Sequence, residues 1–244
     1  MKDFILQWFQ GKCCTINDIV LLAQQQGLTV VRSTVLWAVN QLIKQDQAIR
    51  IGRGSYRFVS KPQFRPVLSA AAQQACALLA KRFKYVEVTA TDTGDLGQFM
   101  NLQPFATVVT LEVKKEAVDA VISALRREEL DAYAKKDFPK LERYVTSNQP
   151  IVVRSELEEN PTLPAEKNVR LASLEKTLVD LVCDEDIYGH YQGTELENIY
   201  QNATNRFSVN YSKMFRYAAI RKKKDEVILV LKGTTDYQIV RDYL

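Results

Sequence analysis

The sequence has one histidine, four cysteines and no long apolar run, and each scarcity excludes a class of protein. With His190 as its one imidazole, a Ser–His–Asp or Cys–His catalytic site would have a single base to draw on. No uninterrupted apolar stretch approaches the roughly 20 residues that a membrane helix needs, and the first residues contain no continuous signal-peptide core. We therefore expect a cytoplasmic protein with no membrane partner.

The cysteines form neither a C-x-x-C metal pattern nor the framework of a disulfide-rich protein, because Cys13 and Cys14 are adjacent and the other two lie far away. Cys183 and His190 flank an acidic run at residues 184–186, for which we expect a solvated helix end rather than a metal site. A nucleotidyltransferase needs a Gly-Ser turn followed closely by metal-binding aspartates, and Gly54-Ser55 is followed by no carboxylate until Glu87. We expect no catalytic residues, no metal and no cofactor.

Charge is distributed unevenly along the 244 residues. Residues 1–65 contain nine basic and three acidic side chains, a formal charge of +6, and the remainder has a charge of −2. The two prolines and missing periodicity of residues 60–66 are typical of a linker. The sequence thus predicts a basic domain at 1–60, a linker at 61–66 and a larger domain at 67–244.

The basic domain has the pattern of a winged helix-turn-helix. Two short helices are predicted first, the second beginning at the T-x-x-D pattern of Thr15 and Asp18 and ending at Gly27. A third helix, capped by Ser33, follows with a core-facing stripe at Val35, Leu36, Val39, Leu42 and Ile43. Its opposite face has side chains that can reach DNA bases and phosphates, namely Thr34, Trp37, Gln41 and Lys44. An exposed Trp37 could equally pack against the wing or a dimer partner.

Residues 48–59 alternate as a β-hairpin, and we expect Arg50 to lie opposite Arg57 with Arg53 at the turn. Like charges facing each other are destabilising, so a DNA phosphate against them is one explanation. The alternative is that the arginines splay into solvent and protect the sheet edge. We predict that double-stranded DNA is bound by Arg32, Ser33, Thr34, Trp37, Gln41, Lys44, Arg50, Arg53 and Arg57.

The sequence of the larger domain predicts a mixed α/β body with a helical C-terminal end, so the fold class expected for the whole chain is α+β. A helix is expected at residues 69–83, strands at 85–89, 108–113 and 151–154, and an amphipathic helix at 115–130. Three further helices are expected after Ser173, at residues 195–205 and at 211–223. The basic run 221–224 is expected to be a solvated helix end, with contact to nucleic acid as a secondary possibility.

Four motifs in order resemble the AbiEi-type antitoxins of type IV toxin–antitoxin systems, which act in abortive infection and phage defence. Residues 168–181 are similar to their E-K/R-T-L-x-D-L segment, with Lys176 where arginine is frequent. Residues 214–218 resemble their L-x-x-Y-A helix, Thr93 and Gly94 their T-G turn, and residues 27–56 their winged helix. Residues 132–164 match no motif of that family.

This resemblance implies a transcription-regulating antitoxin that represses its own operon and neutralises a nucleotidyltransferase-like toxin, with or without a stable complex. It also makes Glu175, Lys176, Thr177 and Asp180 the antitoxin signature. The spacing of these residues offers a purely structural role as well, because Lys176 and Asp180 form an i,i+4 pair. The alternative functions are a transcriptional regulator with a C-terminal ligand-sensing domain and an enzyme with a winged-helix accessory domain. The operator sequence and the oligomeric state, including a homodimer on DNA, stay open.

Overall fold

The computed structural model describes residues 1–45, 47–58, 61–102, 106–141, 149–157, 159–235, 237 and 241. It confirms the mixed α+β class, with two separate sheets and helices on both sides of the larger one. Val59 and Ser60, which belong to the predicted hairpin and domain boundary, lie outside the described residues. Within the described part of the chain, no helix combines the length and apolarity required to cross a bilayer.

The N-terminal region folds three helices against a small antiparallel sheet with strand order β1-β3-β2. Its elements are α1 (Lys2–Phe9), β1 (Cys13–Thr15), α2 (Ile16–Gln25), α3 (Arg32–Lys44), β2 (Ala48–Gly52) and β3 (Ser55–Phe58). The predicted start of α2 is confirmed, since the Thr15 side chain accepts from the Asp18 amide and Asp18 accepts from the Thr15 amide. Strand β1 was not predicted, because three residues give no readable alternation.

Two details of α3 differ from the prediction. The helix begins at Arg32 after an extended Val31, so Ser33 lies inside the first turn and is not the cap. Leu36 is exposed and Ala38 is buried in its place. The apolar side of α3 is therefore the row that includes residues 35, 38, 39 and 42, spaced by three, one and three as a helix face requires.

The hairpin forms, but its predicted register is wrong by one residue. Ile49 lies opposite Arg57 and Arg50 lies opposite Tyr56, with an irregularity before the turn. Because paired residues share a face of the sheet, Arg57 is on the face of Ile49 and Arg50 is on the other. The like-charge pair on which the phosphate argument rested does not exist.

The body is built on a six-stranded mixed sheet with strand order β6-β7-β5-β4-β9-β8. Strands β5, β6 and β7 run parallel to one another, whereas β4 is antiparallel to β5 and parallel to β9, and β8 is antiparallel to β9. The strands are β4 (Val88–Asp92), β5 (Val109–Val113), β6 (Ala132–Ala134), β7 (Ile151–Ser155), β8 (Thr162–Pro164) and β9 (Val169–Ala172). The strand predicted at 85–89 begins three residues later, and Tyr85 is 98% exposed.

Helices cover both faces of this sheet. One face packs on α4 (Ala70–Arg82) and α5 (Val118–Arg127), and α5 is preceded by a 3₁₀ turn at Lys115–Ala117. The other face packs on the C-terminal helices, of which α7 begins at the predicted Ser173 cap. The remaining helices are α6 (Phe138–Leu141), α7 (Leu174–Cys183), α8 (Glu185–Tyr188), α9 (Thr194–Arg206), α10 (Tyr211–Ile220) and α11 (Lys224–Leu231), with 3₁₀ turns at Thr93–Phe99 and Gly189–Tyr191.

The N-terminal region and the body share apolar contacts. Ile49 and Ile51 of β2 belong to the same core cluster as residues of α7 and α10. In the segment predicted to be a linker, Phe64 is buried with its ring centroid 5.7 Å from Phe99 and 5.2 Å from Phe207. The Ser208 amide donates to the Pro62 carbonyl at 2.9 Å. Residues 61–66 are thus docked on the body.

Candidate functional site

The outer face of α3 presents polar and aromatic side chains to solvent. Of the residues predicted to bind DNA on this helix, Arg32, Ser33, Thr34, Trp37 and Lys44 are exposed, and Gln41 is half-buried. Trp37 is 60% exposed and is not part of the N-terminal core. The buried row on the opposite side holds the helix on the N-terminal core, which fixes the orientation of the exposed face.

The three predicted hairpin arginines have different environments. Arg53 is exposed at the turn, where Gly54 adopts a φ of +76°. Arg50 is also exposed, and its Nε donates to the Gly52 carbonyl at 3.2 Å. Arg57 is only 7% exposed, because its face of the sheet is the one that packs toward the body with Ile49. The structure therefore brings Arg50 and Arg53 to the surface and takes Arg57 away from it.

Arg32 has a structural contact in addition to its exposure. Its Nη1 donates to Asn17 Oδ1 at the start of α2, at 2.7 Å. This bond ties the first turn of α3 to the preceding helix across the connection that contains Gly27, which has a φ of +77°. The first turn of α3 is thus tied to the first turn of α2.

A second constellation lies inside the body, where charged side chains from the sheet meet α7. Lys176 Nζ donates to Glu112 Oε1 of β5 at 2.6 Å and to Asp180 Oδ2 at 2.5 Å. Arg154 of β7 donates to the same Asp180 oxygen at 2.8 Å and also bonds Glu112. The Lys176 side chain is 0% exposed, so this is an ion-pair cluster removed from solvent.

The cluster continues through Asp184 to the end of α10. Arg221 donates to Asp180 Oδ1 at 2.5 Å and to Asp184 Oδ2 at 2.8 Å, and Lys135 and Arg154 also pair with Asp184. The Tyr217 hydroxyl donates to Asp180 Oδ1 at 2.8 Å. The expectation of solvated helix ends is wrong for both Asp184 and Arg221, because each is drawn into the cluster. We call Glu112, Lys135, Arg154, Lys176, Asp180, Asp184 and Arg221 the charge cluster.

Mutual attraction keeps Asp180, Asp184 and Lys176 of the charge cluster ionised. Burial by itself raises the pKa of Asp180, but the charges of Lys176, Arg154 and Arg221 outweigh it and hold that pKa below its usual range. Burial likewise raises the pKa of Asp184, and Arg154 and Arg221 lower it well below the usual range. Burial would lower the pKa of Lys176, but Asp180 and Glu112 raise it. Fixed charges of this kind favour a structural role over proton transfer.

All four residues of the antitoxin signature are buried. Glu175 accepts from the Asn210 amide at 2.8 Å and from the Ser173 hydroxyl at 2.5 Å. Thr177 donates to the Ser173 carbonyl at 3.2 Å. With Lys176 and Asp180 in the charge cluster, these contacts agree with the structural role that the i,i+4 spacing allowed.

Sequence analysis missed five members of the charge cluster. Glu112 and Arg154 are each the one charged residue of a strand, and a lone charge in a strand is the signal that was available. Lys135, Asp184 and Arg221 gave no such signal, because each lies in a run of charges. In the described part of the chain, no three His, Cys, Asp or Glu residues are placed to hold a metal ion, Cys183 and His190 included.

Comparison with known proteins gives one family match and one weak structural similarity. The model of DUF6577, a family of unknown function, matches residues 34–237. No curated protein matches the sequence. The crystal structure of the RV2827C protein from Mycobacterium tuberculosis is similar at 11% identity, covering 91% of this chain and 76% of that one, with a TM-score of 0.24. A similarity of that size supports no argument about fold or function.

Proposed function

The chain belongs to the DUF6577 family of unknown function, and we propose that it is a DNA-binding antitoxin that represses its own toxin–antitoxin operon. In this proposal residues 1–58 form a winged helix-turn-helix. Helix α3 enters the major groove of double-stranded DNA, and the hairpin turn with Arg53 contacts the phosphate backbone. The proposed localisation is the cytoplasm, where the operator DNA would be.

The observation that carries DNA binding is the exposed face of α3 next to the hairpin. Thr34, Trp37 and Lys44 point outward from a helix whose other side is fully buried. The order helix, strand, helix, helix, hairpin supports the winged-helix assignment. The +6 charge of residues 1–65 supports attraction to a polyanion.

The antitoxin part of the proposal rests on the resemblance of the four motifs. Because the signature residues 175–177 and 180 are buried, we propose that they hold α7 in place and that toxin neutralisation uses the exposed surface of the body. Gly54-Ser55 is followed by no carboxylate until Glu87, so the sequence lacks the pattern with which a nucleotidyltransferase binds its metal ions. We therefore propose that the chain is not itself the enzyme.

DNA binding can be tested with Lys44→Ala and Arg53→Ala in the full-length protein. Each removes one proposed phosphate contact, so affinity for operator DNA should fall and the slope of log K against log salt should decrease by about 0.9 per contact. Lys81→Ala, an exposed lysine on α4, is the matched control and should leave both quantities unchanged. Equal affinity and an unchanged slope in both variants would refute the DNA-binding surface.

Neutralisation is tested by expressing the adjacent gene with and without this protein. Since Ile49 and Ile51 pack in the core of the body, removing the first 66 residues would expose apolar surface. The better separation is the full-length Lys44→Ala/Arg53→Ala variant, which should lose repression and still rescue growth. If the adjacent gene is not toxic, the antitoxin part of the proposal is refuted, and the proposal that the protein is a DNA-binding regulator remains.

The second candidate function is a transcriptional regulator whose body binds a small ligand. It is favoured by a cleft in the body at the ends of three parallel strands. The co-expression test distinguishes the two candidates, since only an antitoxin suppresses the toxicity of the adjacent gene.

A further inference from the structure

The cleft lies where β5, β6 and β7 end. Its volume is about 460 Å³, within the range that small-molecule sites occupy. Lys115 comes shortly after β5, Lys135 and Lys136 follow β6, and Ser155 ends β7. In open α/β sheets, ligands bind in the crevice outside the carboxyl ends of parallel strands, which is the position of this cleft.

Among the charged side chains that line the cleft, basic ones outnumber acidic ones. Four are basic (Lys115, Lys135, Lys136 and Arg154) and two are acidic (Asp119 and Asp186). Lys135 and Arg154 already pair with Asp184, and Lys135 Nζ is also 3.8 Å from Asp186. Lys115 and Lys136 are exposed and make no ion pair with any residue that the structure describes. Two ammonium groups are therefore available to a ligand at the mouth of the cleft.

The backbone adds to this preference for negative charge. Val118 and Asp119, the first residues of α5, line the cleft, and the 3₁₀ turn at Lys115–Ala117 runs directly into that helix. The positive end of the helix dipole therefore lies on the side of Lys115 and favours an anion there. Together with the two lysines it provides the positive charge that phosphate oxygens accept.

We propose that this cleft binds a small phosphorylated molecule. Lys115 and Lys136 contact its phosphate oxygens, and the apolar wall at Val118, Ala134 and Val153 receives the rest of the molecule. Binding here requires neither DNA binding nor toxin neutralisation, so it can fail while the proposed function stands.

The test is isothermal titration calorimetry of the full-length protein with inorganic pyrophosphate at constant ionic strength. The wild type should bind, and Lys115→Ala/Lys136→Ala should bind roughly tenfold more weakly or worse, because two charge-assisted contacts are lost. The matched control is Lys81→Ala/Lys84→Ala, which removes two exposed lysines from a different surface beside Tyr85 and should leave the affinity unchanged.

Two results would overturn the proposal. One is that the wild-type protein gives no heat of binding at millimolar pyrophosphate. The other is an equal loss in both double variants, which would mean attraction to lysines in general. Urea unfolding of each variant serves as the folding check, and because the four lysines are exposed, the midpoints should match that of the wild type.

Discussion

Replacing Asp180 by Asn is the sharpest test of the charge cluster. Asp180 accepts from Lys176, Arg154, Tyr217 and Arg221, and its side chain is 1% exposed. Without its charge, the four basic members of the charge cluster face only Glu112 and Asp184. Breaking a buried pair by neutralising one partner costs about 3–5 kcal/mol, because the buried Lys176 and Arg154 lose an opposite charge. We expect Asp180→Asn to lower the free energy of unfolding by that amount.

Urea unfolding followed by circular dichroism measures this loss, with Glu87→Gln as the control. Glu87 pairs with Arg170 at 2.6 Å, but both side chains are about half exposed, so their separation should cost less than about 1 kcal/mol. The double variant Lys176→Met/Asp180→Asn should be more stable than the sum of its single variants predicts, because it removes opposite charges together. A loss below about 1 kcal/mol for Asp180→Asn would refute the reasoning.

The same variant separates two roles for the signature residues. If Asp180 holds α7 against the sheet, Asp180→Asn loses stability and neutralisation together. If Asp180 contacted the toxin directly, neutralisation would fall while the free energy of unfolding stayed the same.

Three further predictions concern pH, the docked segment and the thiols. Asp180 and Asp184 have pKa values below that of an unfolded aspartate, so their contribution to the free energy of unfolding is complete above about pH 4. That contribution is lost as the pH falls from there through their folded pKa values. Thermal unfolding from pH 7 to pH 2 should show a falling midpoint, and a midpoint that does not respond to acid would contradict the prediction. Phe64→Ala should cost about 3–5 kcal/mol in urea unfolding, because its ring fills the space between Phe99 and Phe207, whereas a freely mobile linker would tolerate the change. Burial, with a smaller effect of Asp92, raises the pKa of Cys76 to about 12, so a thiol reagent at pH 8 should label it only after unfolding, as mass spectrometry of the labelled peptide would report.

The helix starts that depend on near neighbours were predictable from sequence. Thr15 and Asp18 are three residues apart, and Ser173 caps α7 through the Lys176 amide, so neither interaction requires a distant partner. The buried row of α3 was predicted with one error, because Leu36 and Ala38 both lie near its edge and only packing decides which is covered. Lys44 and Trp37 were correctly placed on the outer face for the same periodic reason.

The tertiary structure decided what depends on distant segments. A one-residue change of hairpin register moved Arg57 from the predicted surface to the face that meets the body, because a shift of one residue turns each side chain to the opposite face of the sheet. Strands β6, β8 and β9 have three or four residues, too few to show a period before they pair. Lys176 and Glu112 are 64 positions apart, and only the packing of α7 on the sheet makes them an ion pair. The sequence thus determined most of the longer helices, the caps at Thr15 and Ser173 and the basic N-terminal face, because these arise within a few residues. Tertiary packing decided the burial of Arg57, the charge cluster and the cleft, because each needs side chains from separate segments to meet.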